Sequence, residues 1–161
     1  MPPLPAAIAL GSNLPSPAGE SRATVLAAIA AVGTFTKTRL VAASSLHETA
    51  PVGPAGQGNY INAAVRVETG LSARELLAHM LTVEQRFGRD RAREERWGPR
   101  TLDLDLILYG DALIDEPGLR IPHPRMHERA FVLVPLCEVW PDALHPVLKK
   151  TVRALRDALP H

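Results

Sequence analysis

The chain has 161 residues, with 18 basic and 17 acidic side chains and a formal net charge of +1. That length suits a single domain over 1–161 with a sizeable core, and the near-neutral balance gives no general affinity for nucleic acid or an anionic membrane. Cys137 is the only cysteine, so no internal disulfide can form. A cytoplasmic protein with no signal peptide and no membrane span is expected.

Ala6–Leu10 is an apolar run ending at Gly11-Ser12-Asn13, which predicts a first strand and a turn. Ser16-Pro17 offers an N-cap and a first helical position, and Val25, Leu26, Ile29 and Val32 follow at helical spacing up to Gly33. Thr34 to Ser45 is rich in β-branched residues and predicts a second strand. Residues 48–59 hold three glycines and two prolines and predict a long irregular loop, a common place for function. Tyr60–Thr69 alternates, with Ile61, Ala63, Val65 and Val67 on one face and Asn62, Ala64, Arg66 and Glu68 on the other. Ser72 and Glu75 form a capping box that opens a second helix, ended by Gly88.

From Thr101 the chain alternates again. Leu102, Leu104, Leu106 and Leu108 are expected on the core face of a fourth strand, with Asp103 and Asp105 on the other. Asp111–Gly118 reads as a polar connection, Ile121-Pro122-His123-Pro124 as extended, and Met126–Val139 as a helix interrupted or ended near Pro135. A short helix over Thr151–Leu159 closes the chain. The order strand, helix, strand, strand, helix, strand is that of a ferredoxin-like α+β fold with an antiparallel sheet, here with extra C-terminal helices.

Residues 86–100 carry six arginines and three acids, a local charge of +3 on an otherwise slightly acidic chain, which suggests a small anionic ligand. Next to them, Asp103 and Asp105 stand about 7 Å apart on one strand face. Such a pair repels itself unless a cation or proton lies between, and carboxylate oxygens suit Mg²⁺. No His/Cys cluster favours zinc, and no P-loop or dinucleotide fingerprint occurs. Metal and arginine are then the means of holding phosphates, with Arg100 at the base of the strand the clearest case. Pro-flanked His123 could touch a phosphate, and Asn62 could hydrogen-bond a heterocycle edge. Arg129 and Phe131, two apart near a helix, should diverge.

Arg96-Trp97-Gly98-Pro99-Arg100-Thr101-Leu102-Asp103-Leu104-Asp105 resembles the signature of the 6-hydroxymethyl-7,8-dihydropterin pyrophosphokinases of folate biosynthesis. So do Ile8–Leu14, Glu48–Gly53, Tyr60–Ala64 and Ile121–Phe131, in the same order. The resemblance implies transfer of the β,γ-pyrophosphoryl group of ATP to the pterin hydroxymethyl oxygen, with AMP leaving. It implies two Mg²⁺ ions on Asp103 and Asp105, and a catalytic set of Arg89, Arg100, Asp103 and Asp105. ATP contacts fall to Arg89, Arg91, Trp97, Arg100, Ile107, His123 and Arg129, with Arg93 competing for the place of Arg91. Pterin contacts fall to Thr49, Ala50, Val52, Tyr60, Asn62, Trp97 and Phe131, and Glu84 supports the site from the second helix. The implied partners are the small molecules alone, bound by a monomer. Two other readings stay open: an RNA-binding ferredoxin-like module, and an Mg²⁺-dependent nucleotidyltransferase.

Overall fold

The protein is described from a computed structural model covering residues 2–51, 56–90 and 99–160. Its elements are β1 (Leu4–Ser12), α1 (Ser21–Val32), β2 (Thr38–Ala43), β3 (His47–Thr49), β4 (Tyr60–Thr69), α2 (Ala73–Arg86) and β5 (Asp103–Tyr109). They continue with β6 (Ile114–Glu116), β7 (Leu119–Ile121), a 3-10 turn over Met126–Glu128, α3 (Ala130–Val139) and α4 (Val152–Asp157). The main sheet runs β2-β4-β1-β5 with antiparallel neighbours, and β3 also pairs with β4. This is the ferredoxin-like strand order, with β3 as an addition that overlaps the start of the segment expected to be loop.

The sheet separates two cores. Ile8 and Leu10 of β1, Ile61, Val65 and Val67 of β4, and Leu104 and Leu106 of β5 point to the face packed by α1 and α2. The residues between them point the other way, where α3 and α4 cover Ala7, Ala9, Ala64, Ile107 and Leu108. The expected leucine face is therefore interrupted. Ala7 pairs with Leu108 but Ile8 with Leu106, which leaves Ile107 as an extra residue in a β-bulge. The bulge reverses the alternation. Leu108 consequently joins the second core instead of following Leu102, Leu104 and Leu106 into the first.

Local chemistry explains most boundaries. The Ser72 hydroxyl accepts from Glu75 N at 3.1 Å and the Glu75 carboxylate accepts from Ser72 N at 3.0 Å, so the capping box forms as expected. Ser16 does not cap α1. Its backbone closes a turn with Gly19, which has φ +120°, and the helix begins only after Glu20. Lys37, at φ +52°, turns the chain before β2, so that strand starts at Thr38 and not Thr34.

Two further expectations are corrected. Residues 114–121 form the β6–β7 hairpin, turned at Pro117-Gly118 with Gly118 at φ +76°. The helix expected over Met126–Val139 breaks at Arg129, whose backbone is extended (φ −112°, ψ 105°), and α3 then runs through Pro135 to Val139.

Candidate active site

The register of the three central strands builds the site. On the second face, Gly11 of β1 lies between Asn62 of β4 and Asp103 of β5. In the next row Ala9 lies between Ala64 and Asp105. Small residues along β1 leave a floor that flanking polar side chains can overhang. A Cβ on Gly11 would stand 3.2 Å from Asn62 Oδ1 and 3.6 Å from Tyr60 Cδ1, so a side chain there would push into both. Above this floor is a cavity of about 450 Å³, walled by β3, β4, β5 and the start of α3.

One end of the cavity is amphipathic. Tyr60 and Asn62 enter from β4, Thr49 and Ala50 from the end of β3, and Phe131 from the first turn of α3. Asn62 is buried and donates to the Thr49 hydroxyl at 2.6 Å. Phe131 remains 39% exposed, and the Arg129 guanidinium sits 5.4 Å from the centre of its ring. The two side chains converge because Arg129 is extended and outside the helix, which overturns the expected divergence.

The other end is charged. Glu84, only 2% exposed on α2, accepts from Arg89 Nη1 at 2.8 Å and from the Leu104 backbone N–H at 2.8 Å. Arg89 Nη1 also donates to Asp103 Oδ1 at 2.8 Å. One guanidinium thus joins two carboxylates, and such a buried pair holds only with its partners in place. Among the described residues no hydrogen bond reaches the Asp105 carboxylate. Burial, then the neighbouring Asp103 and Glu84 charges, push the Asp105 pKa up to about 7. Arg129 and then Arg89 pull the other way without restoring the ordinary carboxylate value.

Arg100 is anchored through its backbone. Its N–H donates to Asn13 Oδ1 at 2.8 Å, and its carbonyl accepts from the N–H groups of Asn13 and Leu14. The same Asn13 amide donates to Gln57 Oε1 and the Gly58 carbonyl, both at 3.1 Å. This buried residue ties the loop before β4 to the segment before β5. Its N–H groups and carbonyl partners are far apart in sequence, which is why Gly11-Ser12-Asn13 reads only as a turn signal.

Of the candidate residues, Thr49, Ala50, Tyr60, Asn62, Arg89, Arg100, Asp103, Asp105, Arg129 and Phe131 all line this one cavity. Val52, Arg91 and Trp97 lie outside the described residues, as does Arg93. Ile107 and His123 are not brought to the cavity wall. The Ile107 side chain is enclosed in the second core, and its carbonyl accepts from His123 N at 3.0 Å. His123 is held to about pKa 4 by burial and then by Arg129, so its ring is neutral at pH 7. The cavity also includes Arg125, which the sequence did not single out. Its placement depends on the turn around His123, whose Nδ1 accepts from Arg125 N at 3.2 Å.

Among the described residues no group of three His, Cys, Asp or Glu is arranged to hold a metal ion. Asp103 and Asp105 nevertheless suit Mg²⁺, which takes one or two carboxylates and completes its octahedron with water and phosphate oxygens. No described helix is long and apolar enough to cross a membrane.

Residues 7–141 match the family model of 7,8-dihydro-6-hydroxymethylpterin-pyrophosphokinase. The chain is 45% identical over 139 residues to the 2-amino-4-hydroxy-6-hydroxymethyldihydropteridine pyrophosphokinase of Haemophilus influenzae, covering 86% of this chain and 83% of that one. It is 44% identical over 139 residues to the enzyme of the same name from Pseudomonas aeruginosa, covering 86% and 82%. The fold is similar to a Plasmodium falciparum HPPK-DHPS triple mutant solved with pteroate, with TM-score 0.73 and 15% identity. That likeness spans 96% of this chain and 43% of the solved one, so this protein corresponds to less than half of the fused protein. With a model matched from the first strand to beyond α3, and relatives this similar along most of their length, the chain belongs to the 7,8-dihydro-6-hydroxymethylpterin-pyrophosphokinase family.

Proposed function

We propose that this protein transfers the pyrophosphoryl group of ATP to the hydroxymethyl oxygen of 6-hydroxymethyl-7,8-dihydropterin and releases AMP. The observation that carries the reading is one cavity with a carboxylate-and-arginine end and an aromatic-and-amide end. A phosphoryl donor and a flat heterocycle need those two chemistries within reach of each other.

Tyr60 and Phe131 are assigned to the faces of the pterin ring, and Asn62, held by Thr49, to its polar edge. Val52 and Ala50 are assigned to the same substrate. Arg100 and Arg129 are assigned to phosphates, together with Arg91 and Trp97 from the segment before β5. His123, behind the cavity wall but within electrostatic reach of Arg129 and Asp103, is assigned to the same end. Arg89 carries charge to the transferred group while Glu84 holds it in place. Asp103 and Asp105 would hold two Mg²⁺ ions. Bound there, the ions would neutralise phosphate charge and polarise the reacting oxygens. Catalysis by the chain itself is then positioning and electrostatic stabilisation.

The assignment extends to a monomeric, cytoplasmic, single-domain enzyme acting on small molecules. An RNA-binding module is less well supported, because α3 and α4 cover part of that sheet face and Asp103 and Asp105, which would repel phosphate without metal, stand on the open part. The nucleotide product separates the readings. Incubation with ATP, Mg²⁺ and the hydroxymethyl pterin should yield AMP. Pyrophosphate release would instead support nucleotidyl transfer, and the absence of any pterin-dependent product would reject both.

A further inference from the structure

The apolar side of α3 rests on the second face of the sheet, but the far end of the helix carries a charged tie. Glu138 accepts from the Ser45 backbone N–H at 3.0 Å and from the Ser45 hydroxyl at 2.8 Å, and the His47 ring hydrogen-bonds its other oxygen. A carboxylate in the last turn of a helix opposes the helix dipole, so helix energetics do not account for it. Burial pushes the Glu138 pKa up, but the Ser45 N–H, the His47 ring and the Ser45 hydroxyl outweigh it and hold the group below the usual carboxylate range.

The tie joins two walls of the cavity. Ser45–His47 leads into β3, a strand whose three residues pair with β4 alone: His47 with Asn62, Glu48 with Ile61 and Thr49 with Tyr60. That short pairing is weak support by itself. At the other end, α3 presents Phe131 and Val132 to the cavity. Among the described residues, Glu138 makes the only side-chain hydrogen bonds between α3 and the segment 45–49.

We infer that Glu138 is a positioning residue for the heterocycle end of the site. By tying α3 to Ser45 and His47 it sets the spacing between Phe131 and the Thr49–Asn62 pair. The inference rests on the pterin assignment proposed above.

The test uses the complete protein as wild type, Glu138→Ala and Glu138→Gln. Binding of 6-hydroxymethylpterin is followed by its own fluorescence, with a non-hydrolysable ATP analogue present, and KM is measured for both substrates. Glu138→Ala should weaken pterin binding about tenfold and leave the KM for ATP within about twofold. Gln, whose carbonyl can still accept from Ser45, should recover most of the loss. Equal weakening of both ligands, unchanged pterin affinity, or Gln no better than Ala would overturn the inference. If Glu138→Ala fails to fold, Ser45→Ala removes the hydroxyl bonds to Glu138 and His47→Ala the ring bond, each leaving part of the tie. Either should give a smaller, pterin-only weakening, and unchanged affinity in both would be equally fatal. A wild type that binds no pterin would reject the assignment beneath the inference and the inference with it.

Discussion

The two faces of one sheet divide the work of this molecule. On the α1/α2 face, β1, β4 and β5 offer Ile8, Leu10, Val65, Val67, Leu104 and Leu106. On the opposite face the same strands offer Ala9, Gly11, Asn62, Asp103 and Asp105 to the cavity. Strand alternation puts large apolar and small or polar residues one position apart in sequence and on opposite sides in space. The first face therefore gains stability from packing, and the second is built around charges that stability alone would not select. Substitutions on the two faces should have opposite signatures.

The largest effect is expected from the carboxylate pair. Asp103→Ala or Asp105→Ala should lower kcat by roughly 10³-fold, as loss of a metal-organising group removes several kcal/mol of charge stabilisation. Circular dichroism should show the fold retained. Undiminished turnover in either variant would remove the metal assignment and leave the two faces without a chemical distinction.

The complementary break lies on the other face. Leu76 of α2 is fully buried in the first core. Leu76→Ala should reduce unfolding free energy by about 2–5 kcal/mol, from lost transfer energy and the cavity left behind. Below the melting transition the KM values should stay near wild type. A selective loss of pterin or ATP affinity would show that the faces are coupled more tightly than their packing implies.

Gly11→Val sharpens the contrast at a single position. In β1 a β-branched residue suits strand conformation, so propensity predicts a neutral or favourable change. The position faces Asn62 Oδ1 and Tyr60 Cδ1 across the cavity floor, with only 3.2 and 3.6 Å to a new Cβ. Pterin affinity should fall about a hundredfold with little change in melting temperature. Equal pterin titrations for the two proteins would rule out this floor as the heterocycle site.

How much of this was legible depends on the range of the interaction. The capping box at Ser72, the period of β4 and the Asp103/Asp105 spacing are local, and each appears in the structure as the residue pattern implies. The matched arginine-to-aspartate block also places Arg100, Asp103 and Asp105 in one cavity. What was hidden is set by pairing partners. The bulge at Ile107 follows from β1 register, and it turns Leu108 to the second core. Asn13 acquires its role only when Gln57 and Arg100 come to it. Arg129 and Phe131 meet because one residue at the helix start is extended, a backbone choice that their spacing did not reveal.

The smallest expected effect is a gain of stability at the heart of the polar face. In the folded protein burial, with Asp103 and Glu84 nearby, raises the Asp105 pKa from the ordinary carboxylate range to about 7. A raised carboxylate pKa means that folding binds the proton. Its favourable contribution is complete below the unfolded value and is lost as pH rises through about 7. Asp105→Asn removes the ionising group while keeping its shape. Without metal, the variant should melt a few degrees above wild type at pH 8, an increment on the order of 1 kcal/mol. The advantage should shrink as pH falls toward 4. Added Mg²⁺ should raise the wild-type melting temperature at pH 8 and move the variant much less, because the ion binds only the folded carboxylate pair. A pH-independent difference, or one that grows in acid, would mean that Asp105 ionises freely in the fold. The polar face would then carry no electrostatic strain for a metal to relieve.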